Sequence, residues 1–261
     1  MRNFEGIHPT ALIGDNVTMG ARVTIGPRSI VYDNVNIGAG TTIGADCILG
    51  EPLASIYSNP AAYSNPALDV GTDAIIRSGA ILYAGSTIGS NFECGHRVTI
   101  REASAIGHHV RIGTLSDIQG HCSIGNYTRL HSNVHIGNKS VVRDFVWIFP
   151  YVVLTNDPHP PSNMLVGVTV DEFAVIATMS VILPGVTVGR DALVGASSLV
   201  RSDVAPEAVV VGNPAKQVAT VRDIKSRFDG AAVYPWRETF ERGMPWEGIG
   251  YSKWRETGAR R

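Results

Sequence analysis

The sequence predicts an all-β fold, a parallel β-helix built from six-residue repeats. Three observations predict it. A hydrophobic residue recurs every six positions, glycine often follows it, and the residue four positions after it is small or β-branched, as in Ala74 and Val98. A period of six fits short strands separated by turns and does not fit the 3.6-residue period of a helix. The 28 glycines agree with many tight turns, because glycine destabilises a helix interior by about 1 kcal/mol.

The repeat occupies 29 positions in three runs. They extend from Ile7 to Leu49, from Val70 to Leu154 and from Val170 to Val200. The hydrophobic and the small residue of each hexapeptide point inward and their neighbours point outward, because side chains alternate along a strand. Three strands close one coil of 18 residues. Residues 18 apart are therefore expected to stack on adjacent coils, and the core grows by stacking.

The composition excludes several classes of protein. The formal net charge is -1, which gives no basic field for nucleic acid, and no stretch has the roughly 18 consecutive apolar residues of a membrane helix. The opening segment MRNFEGIHPTALIG lacks the basic and apolar regions of a signal peptide. We therefore expect a cytoplasmic protein that binds neither nucleic acid nor membrane. Cys47, Cys94 and Cys122 fall on inward positions, which predicts buried free thiols.

Two loops, residues 51–69 and 155–169, interrupt the repeat. Their prolines and polar residues are typical of loops. If the coils continue in register, both loops leave from one strand column, five coils or about 24 Å apart. Two insertions on one edge favour an active-site edge, although a solenoid also tolerates insertions that have no function.

The repeat predicts two units, a β-helix domain over residues 1–215 and a second unit over 216–261. In the second unit, KQVATVRDIKSRF (216–228) is interpreted as a helix that caps the last coil. The tail that follows contains three of the four tryptophans, and we expect it to pack on that helix or on a neighbouring subunit. A role in substrate binding is the alternative interpretation. These tryptophans are Trp236, Trp246 and Trp254.

The three faces of the predicted prism differ in their outward residues between positions 70 and 155. Face one carries Thr87, Gly89, Ala105, Gly107, Ser123 and Gly125. Face two carries Arg77, Glu93, Arg111, Arg129, His131, Trp147 and Phe149. Face three carries Tyr83, Thr99, Arg101, Asp117, Gln119 and His135. Because a lone convex prism has no deep cleft, we expect a homotrimer in which face two of one subunit meets face three of another and forms the active site.

Asp117 and His135 are 18 residues apart and should stack on face three. A carboxylate one strand spacing from an imidazole orients it and increases its basicity, so this pair is a candidate general base. An ordinary surface ion pair is the alternative interpretation. His121, at a turn position, could serve as the base instead.

Other residues of faces two and three are candidates for binding a substrate. Guanidinium groups bind pyrophosphate through paired hydrogen bonds, and aromatic rings stack on a base or a sugar. The candidates are Arg77, Arg101, Arg111, Arg129, Tyr83, Gln119 and His131. For Arg111 and Arg129, a solvated charged face is an equal alternative.

The repeat over residues 7–215 and the segment VVVGNPAKQV (209–218) resemble the left-handed β-helix of hexapeptide-repeat acyltransferases. The left hand comes from the resemblance, because general rules for crossover connections favour a right hand. The resemblance implies acetyl-CoA, or another acyl-CoA, as co-substrate, bound along the outside of the later coils between two subunits. The matching coenzyme positions are Ala177, Pro184, Gly195, Arg201 and Lys216.

The stretches 112–137 and 146–162 look closer to one subgroup, which acylates the amino group of dTDP-3-amino-3,6-dideoxyhexoses for surface polysaccharide synthesis. This resemblance places Asn156 near the sugar, with Asp157 beside it. It also implies that the amine can attack without a protein base, in which case His135 and Asp117 bind or orient the acceptor. The sugar-contacting glutamate of the subgroup has no counterpart around Ile136, so the sugar isomer stays open.

A metal site is not expected. Related folds include a zinc carbonic anhydrase, whose ligands include two histidines five residues apart, whereas His131 and His135 are four apart. Two other functions remain as alternatives to a nucleotide-amino-sugar N-acyltransferase. One is an acyltransferase for another small amine or hydroxyl, and the other is a β-helical binding or structural subunit without activity.

Overall fold

A computed structural model of the protein describes residues 6–258. The chain winds into a left-handed parallel β-helix of about 11 turns, which confirms the predicted fold class. Three sheets of 9, 11 and 10 strands form faces one, two and three. Residues 1–5 and 259–261 lie outside the described residues. The first range belongs to the opening segment of the predicted β-helix domain, and the second belongs to the predicted unit over 216–261.

Most strands are two residues long, because each coil turns a corner after every hexapeptide. Face one consists of Thr18–Met19, Val35–Ile37, Leu68–Val70, Thr87–Ile88, Ala105–Ile106, Ser123–Ile124, Val141–Val142, Thr169–Val170 and Thr187–Val188. Face two consists of Thr24–Ile25, Thr42–Ile43, Ile75–Ile76, Glu93–Cys94, Arg111–Ile112, Arg129–Leu130, Trp147–Ile148, Val175–Ile176, Leu193–Val194, Ala208–Val211 and Lys216–Thr220. Face three consists of Leu12–Ile13, Ile30–Val31, Ile48–Glu51, Ile81–Tyr83, Thr99–Ile100, Asp117–Ile118, His135–Ile136, Val153–Leu154, Val181–Ile182 and Leu199–Val200.

The predicted stacking of residues 18 apart is confirmed. Asp117 pairs with His135 on face three, and Arg111 pairs with Arg129 on face two. From Ile25 onward the hydrophobic residues of the repeat fill the interior of the prism, whereas Ile7 and Ile13 of the first coil are exposed. The three cysteines are buried and free, as predicted.

The corners of the coils have a left-handed backbone. Within residues 6–258, 22 residues other than glycine have φ between 53° and 64°, and most follow the hydrophobic residue of a repeat by three positions. The glycine that often follows the hydrophobic residue directly is present for a different reason, which is close contact with the next coil. A Cβ atom at Gly89 would lie 2.5 Å from the backbone carbon of Gly107, because the next coil turns directly against it. The glycine pattern of the sequence thus reflects contact between coils.

Both loops leave face three and return on face one, as the register predicts. The first loop contains helix α1 (Ser55–Ser58) and a 3₁₀ turn (Pro60–Ala62). The second has no regular structure between Leu154 and Thr169. The corner between faces three and one is called the loop edge here.

The helix predicted over residues 216–228 is wrong. Lys216–Thr220 is a strand that pairs antiparallel with Ala208–Val211, and a 3₁₀ turn follows at Val221–Asp223. The reason lies in the β-branched Val218 and Thr220, which favour a strand, and in the open edge that face two presents after its last parallel strand. A second 3₁₀ turn spans Trp236–Glu238, and helix α2 spans Tyr251–Glu256.

The tail, residues 234–258, packs on the β-helix of its own chain. The prediction that it packs on a capping helix is wrong, because residues 216–220 form a strand. Trp236 and Trp246 are buried against Phe145 and Phe173. The indole N–H of Trp236 donates a hydrogen bond to the carbonyl of Phe173 at 2.8 Å. A second hydrophobic core therefore forms outside the prism.

Phe145 and Phe173 belong to an aromatic ladder that runs along the corner between faces one and two. His109, Tyr127, Phe145 and Phe173 stack in sequence, with ring centroids 4.5, 5.4 and 4.9 Å apart. Each is a corner residue with positive φ. The ladder provides the flat apolar surface on which the tail rests.

Candidate active site

Face three brings together the residues that the sequence predicts for catalysis. Asp117 Oδ2 lies 3.1 Å from Nδ1 of His135. The same oxygen accepts a hydrogen bond from Nε2 of Gln119 at 2.6 Å. Because Asp117 engages Nδ1 of the imidazole, Nε2 is the ring nitrogen left for proton exchange with an acceptor.

Arg101 and Tyr83 extend this cluster along face three. The guanidinium group of Arg101 lies 5.7 Å from the ring centre of Tyr83. Its Nη1 donates a hydrogen bond of 3.4 Å to Gln119 Oε1. Tyr83, Arg101, Gln119, Asp117 and His135 thus form one continuous row, as the predicted register requires.

Glu102 is a member of the cluster that the sequence analysis did not identify. Its carboxylate accepts two hydrogen bonds from Arg101, each 3.0 Å long, and fixes the orientation of the guanidinium group. Gly120 leaves room for it, since a Cβ atom there would lie 2.9 Å from Glu102 Oε1. The sequence feature that could have identified Glu102 is its position directly after an arginine at the end of a strand.

The pKa of Asp117 reflects opposing effects. Burial acts to raise the pKa of this carboxyl, but hydrogen bonds from His135 and Gln119 together outweigh burial and hold the pKa below its ordinary value. Asp117 therefore remains a carboxylate throughout the neutral range. In that state Asp117 accepts a hydrogen bond from the protonated Nδ1 of His135. This hydrogen bond fixes one tautomer of the imidazole.

We expect the pKa of the Asp117 carboxyl, measured in a carbon-13 NMR titration, to lie below the ordinary aspartate value. Replacing Gln119 with alanine removes one donor and keeps much of the burial, so the midpoint should move up. The stabilisation linked to the lowered pKa is present above the ordinary aspartate pKa and is lost as the pH falls through the folded-state pKa. A wild-type midpoint above the ordinary value would contradict this geometry.

The second loop places Asn156 at the loop edge, next to the coil of His135. A Cβ atom at Gly137 would lie 3.2 Å from that of Asn156. Asp157, also a predicted sugar ligand, forms hydrogen bonds within the loop. Its carboxylate accepts hydrogen bonds from the backbone of His159 and from the backbone and hydroxyl groups of Ser162, at 3.0, 3.0 and 2.6 Å.

Face two holds the other predicted substrate ligands and requires one correction. Glu93 bridges Arg77 and Arg111, with closest distances of 3.3 Å to each. Arg129 is neither a solvated charge nor open to pyrophosphate. It is buried, and it donates hydrogen bonds to the carbonyls of His109 at 2.5 Å and Gly243 at 2.8 Å. The tail covers it, and this burial lowers the pKa of Arg129 to about 10.

His131 lies at the end of its face-two strand, beside the tail. Its imidazole stacks on Phe149 with 4.6 Å between ring centres and lies 6.1 Å from Trp147. Burial lowers the pKa of His131. The neutral ring therefore adds aromatic surface to face two. His121, the alternative base, is exposed at a corner on the loop edge.

The five residues matched to coenzyme binding divide between two faces. Ala177 and Gly195 follow adjacent strands of face two, and Lys216 lies in the last strand of that face. Pro184 and Arg201 follow adjacent strands of face three, at the loop edge. Gly195 also has a packing reason, because a Cβ atom there would lie 2.5 Å from a methyl carbon of Val211.

Two further findings concern residues 6–258. No group of three or more His, Cys, Asp or Glu side chains there is arranged to hold a metal ion. The same residues contain no helix of the length and apolar character needed to cross a membrane.

The chain is locally similar to acetyltransferases. Chloramphenicol acetyltransferase of Agrobacterium fabrum is 43% identical over 58 residues, which are 22% of this chain and 25% of the relative. The 2,3,4,5-tetrahydropyridine-2,6-dicarboxylate N-acetyltransferase of Staphylococcus aureus is 39% identical over 82 residues, 30% of this chain and 34% of the relative. The chain thus spans only about a quarter to a third of the length of these curated relatives.

Among solved structures, the UDP-N-acetylglucosamine acyltransferase of Francisella novicida superposes with a TM-score of 0.45 at 18% identity, over 82% of this chain and 70% of that one. No family model matches the sequence. The repeat and the three-sheet coil define a hexapeptide-repeat β-helix protein. The local matches show that short stretches of the chain are similar to acetyltransferases.

Proposed function

We propose that the protein is an acyl-CoA-dependent N-acyltransferase whose acceptor is the amino group of a nucleotide-linked deoxy sugar. The observation that carries the proposal is the row on face three, where Asp117 holds His135 beside Gln119, Arg101 and Tyr83. The local matches to acetyltransferases support acyl transfer as the reaction. The similarity of residues 112–137 and 146–162 to dTDP-amino-sugar acyltransferases supports the acceptor class.

In the proposed reaction the amine nitrogen attacks the thioester carbonyl of acetyl-CoA. A carbon–nitrogen bond forms and the carbon–sulfur bond breaks. Nε2 of His135 takes a proton from the attacking amine and returns it to the departing sulfur. Asp117 keeps the imidazole in the tautomer that this transfer needs. Much of the rate should come from holding the amine and the carbonyl together, and a backbone N–H would stabilise the developing oxyanion.

The acceptor is proposed to lie between subunits of a homotrimer. The row on face three is half-exposed and lies on a convex surface, so it cannot enclose a ligand alone. Face two of a neighbouring subunit would complete the site. The coenzyme is proposed to lie along the later coils, near Ala177 and Gly195.

A second candidate is acyl transfer to another small acceptor. Two of the local matches favour this candidate, because their names give acceptors other than nucleotide sugars. They are a chloramphenicol acetyltransferase and a tetrahydropyridine-dicarboxylate N-acetyltransferase. Thiol release from acetyl-CoA, measured with a panel of dTDP-amino sugars, separates the possibilities. Release with these sugars supports the proposal. Coenzyme binding without release favours the second candidate, and no coenzyme binding favours a subunit without activity.

Replacing Asn156 with alanine should raise KM for the amino sugar by about threefold to tenfold and leave the Kd for coenzyme A unchanged. The reason is the loss of one hydrogen bond to the sugar, worth about 1 kcal/mol. Steady-state kinetics and calorimetric titration measure the two quantities. His159→Ala, an exposed position on the same loop, is the matched control. An equal loss of both affinities would show that Asn156 does not contact the sugar.

A further inference from the structure

A groove of about 610 Å³ runs between face two and the tail. Arg77, Arg111 and Trp147 line it from face two, and Phe240 and Arg242 line it from the tail. The proposed proton transfer on face three uses none of these residues. The groove exists because the tail stands away from the early coils of face two while it is fixed to the later ones.

The groove has a net positive charge. Its charged residues are four arginines and two glutamates, namely Arg77, Arg111, Arg129, Arg242, Glu93 and Glu247. Arg129 is committed to backbone carbonyls, and Glu247 accepts a hydrogen bond from the backbone of Gly243. Glu93 holds Arg77 and Arg111 side by side, yet their side chains remain 51% and 59% exposed. Three guanidinium groups therefore remain accessible, and their planar donors suit phosphate oxygens.

Part of the groove lining carries no side chain. Gly95 and Gly113 lie there, and a Cβ atom at Gly113 would lie 2.3 Å from the backbone nitrogen of Ser132. His131 and Trp147 also line the groove and add aromatic surface to it. Aromatic surface next to guanidinium groups suits a ligand that has both a flat base and phosphates.

The groove lies next to the proposed catalytic row. His131 directly follows the face-two strand Arg129–Leu130, and His135 begins the next strand, on face three of the same coil. Four residues of chain span at most roughly 14 Å. The groove therefore lies at the same level of the rod as His135. In the proposed homotrimer, face two of one subunit meets face three of another, so a ligand anchored in the groove would bring its far end to His135 of the partner subunit.

We infer that this groove binds the nucleoside diphosphate portion of the acceptor. The inference rests on the proposed function. Coenzyme A also contains a nucleoside diphosphate, so the chemistry alone fits two sources. The position of the groove beside His131 and His135 assigns it to the acceptor, because the positions matched to coenzyme, Ala177 and Gly195, lie on later coils.

The test is calorimetric binding of dTDP and, separately, of coenzyme A to the full chain. Arg111→Ala and Arg242→Ala should each lower the affinity for dTDP about tenfold or more, because each removes a charge-assisted contact to phosphate. The affinity for coenzyme A should stay within twofold. Arg143→Ala is the control, since this arginine pairs with Asp171 on face one. Raising the salt concentration should weaken dTDP binding to the wild type more than to the two groove variants.

Three results would overturn the inference: no dTDP binding by the wild type, wild-type affinity for dTDP in both groove variants, or loss of coenzyme A affinity instead. Failure of the proposed function gives a different pattern. In that case dTDP binding still depends on Arg111 and Arg242, but no amino sugar releases thiol from acetyl-CoA. Such a result would retain the groove as a nucleoside diphosphate site and reject the acyl transfer.

Discussion

His135→Asn is expected to lower kcat for acyl transfer by about 100-fold to 10,000-fold, the range usual for loss of a general base. Asparagine keeps a polar side chain beside Asp117 but cannot take a proton from the amine near neutral pH. Thiol release from acetyl-CoA, followed at saturating amino sugar, measures this effect. The Kd for coenzyme A should not change, because His135 lies on an earlier coil than the positions matched to the coenzyme.

His121→Ala is the comparison for this experiment. His121 is exposed at a corner on the loop edge, and its loss should change kcat by less than threefold. A large effect at His121 with a small one at His135 would show that the base has been assigned to the wrong histidine. If neither variant slows the reaction, the amine passes its proton directly to the departing sulfur, and Asp117 and His135 serve to bind or orient the acceptor.

Trp246→Ala should destabilise the packing of the tail by about 3–5 kcal/mol, the usual cost of removing a fully buried large aromatic side chain. Trp246 is 0% exposed, and its ring lies 5.2 Å from that of Phe145 and 5.9 Å from that of Trp236. Because the tail belongs to a separate hydrophobic core, the loss should be local. Hydrogen exchange should show lost protection in residues 234–258 while the coils stay protected.

Phe228→Ala serves as the control for Trp246. Phe228 is a large aromatic residue shortly before the tail, but it is 87% exposed, so its removal should change stability by less than about 0.5 kcal/mol. Full protection of the tail in Trp246→Ala would mean that the second hydrophobic core does not hold the tail in place. The same variant should also weaken dTDP binding, since Arg242 and Phe240 reach the groove through the tail.

The parts of the structure that obey the six-residue repeat are predictable from the sequence. A period of six determines which residues point outward and which lie one coil apart, so Asp117, His135 and Gln119 could be placed on one face and both loops on one edge. Glu102 was missed because the repeat assigns it to a corner and does not indicate where a corner side chain turns. The split of the coenzyme residues between two faces follows from the same register.

The packing of the tail could not be predicted from the repeat. The tail has no repeat, so its sequence does not indicate which surface it covers. Arg129 looks like its outward neighbour Arg111 in the sequence, and its burial depends on Gly243, a residue 114 positions away. The strand at Lys216–Thr220 was mistaken for a helix because the edge with which it pairs becomes visible only once the coils are built.

The aromatic ladder has a consequence for how such solenoids vary. A left-handed corner costs a residue with a Cβ atom roughly 1–2 kcal/mol, and asparagine or aspartate tolerates it best. Tyr127, Phe145 and Phe173 occupy such corners because their rings gain contact with the tail that offsets this cost. A solenoid of this type without a tail should lack such a run of stacked aromatic residues at one corner. Bulky aromatic residues recurring once per coil at the corner position would therefore reveal, from sequence alone, which ridge of the rod lies beneath a non-repetitive segment.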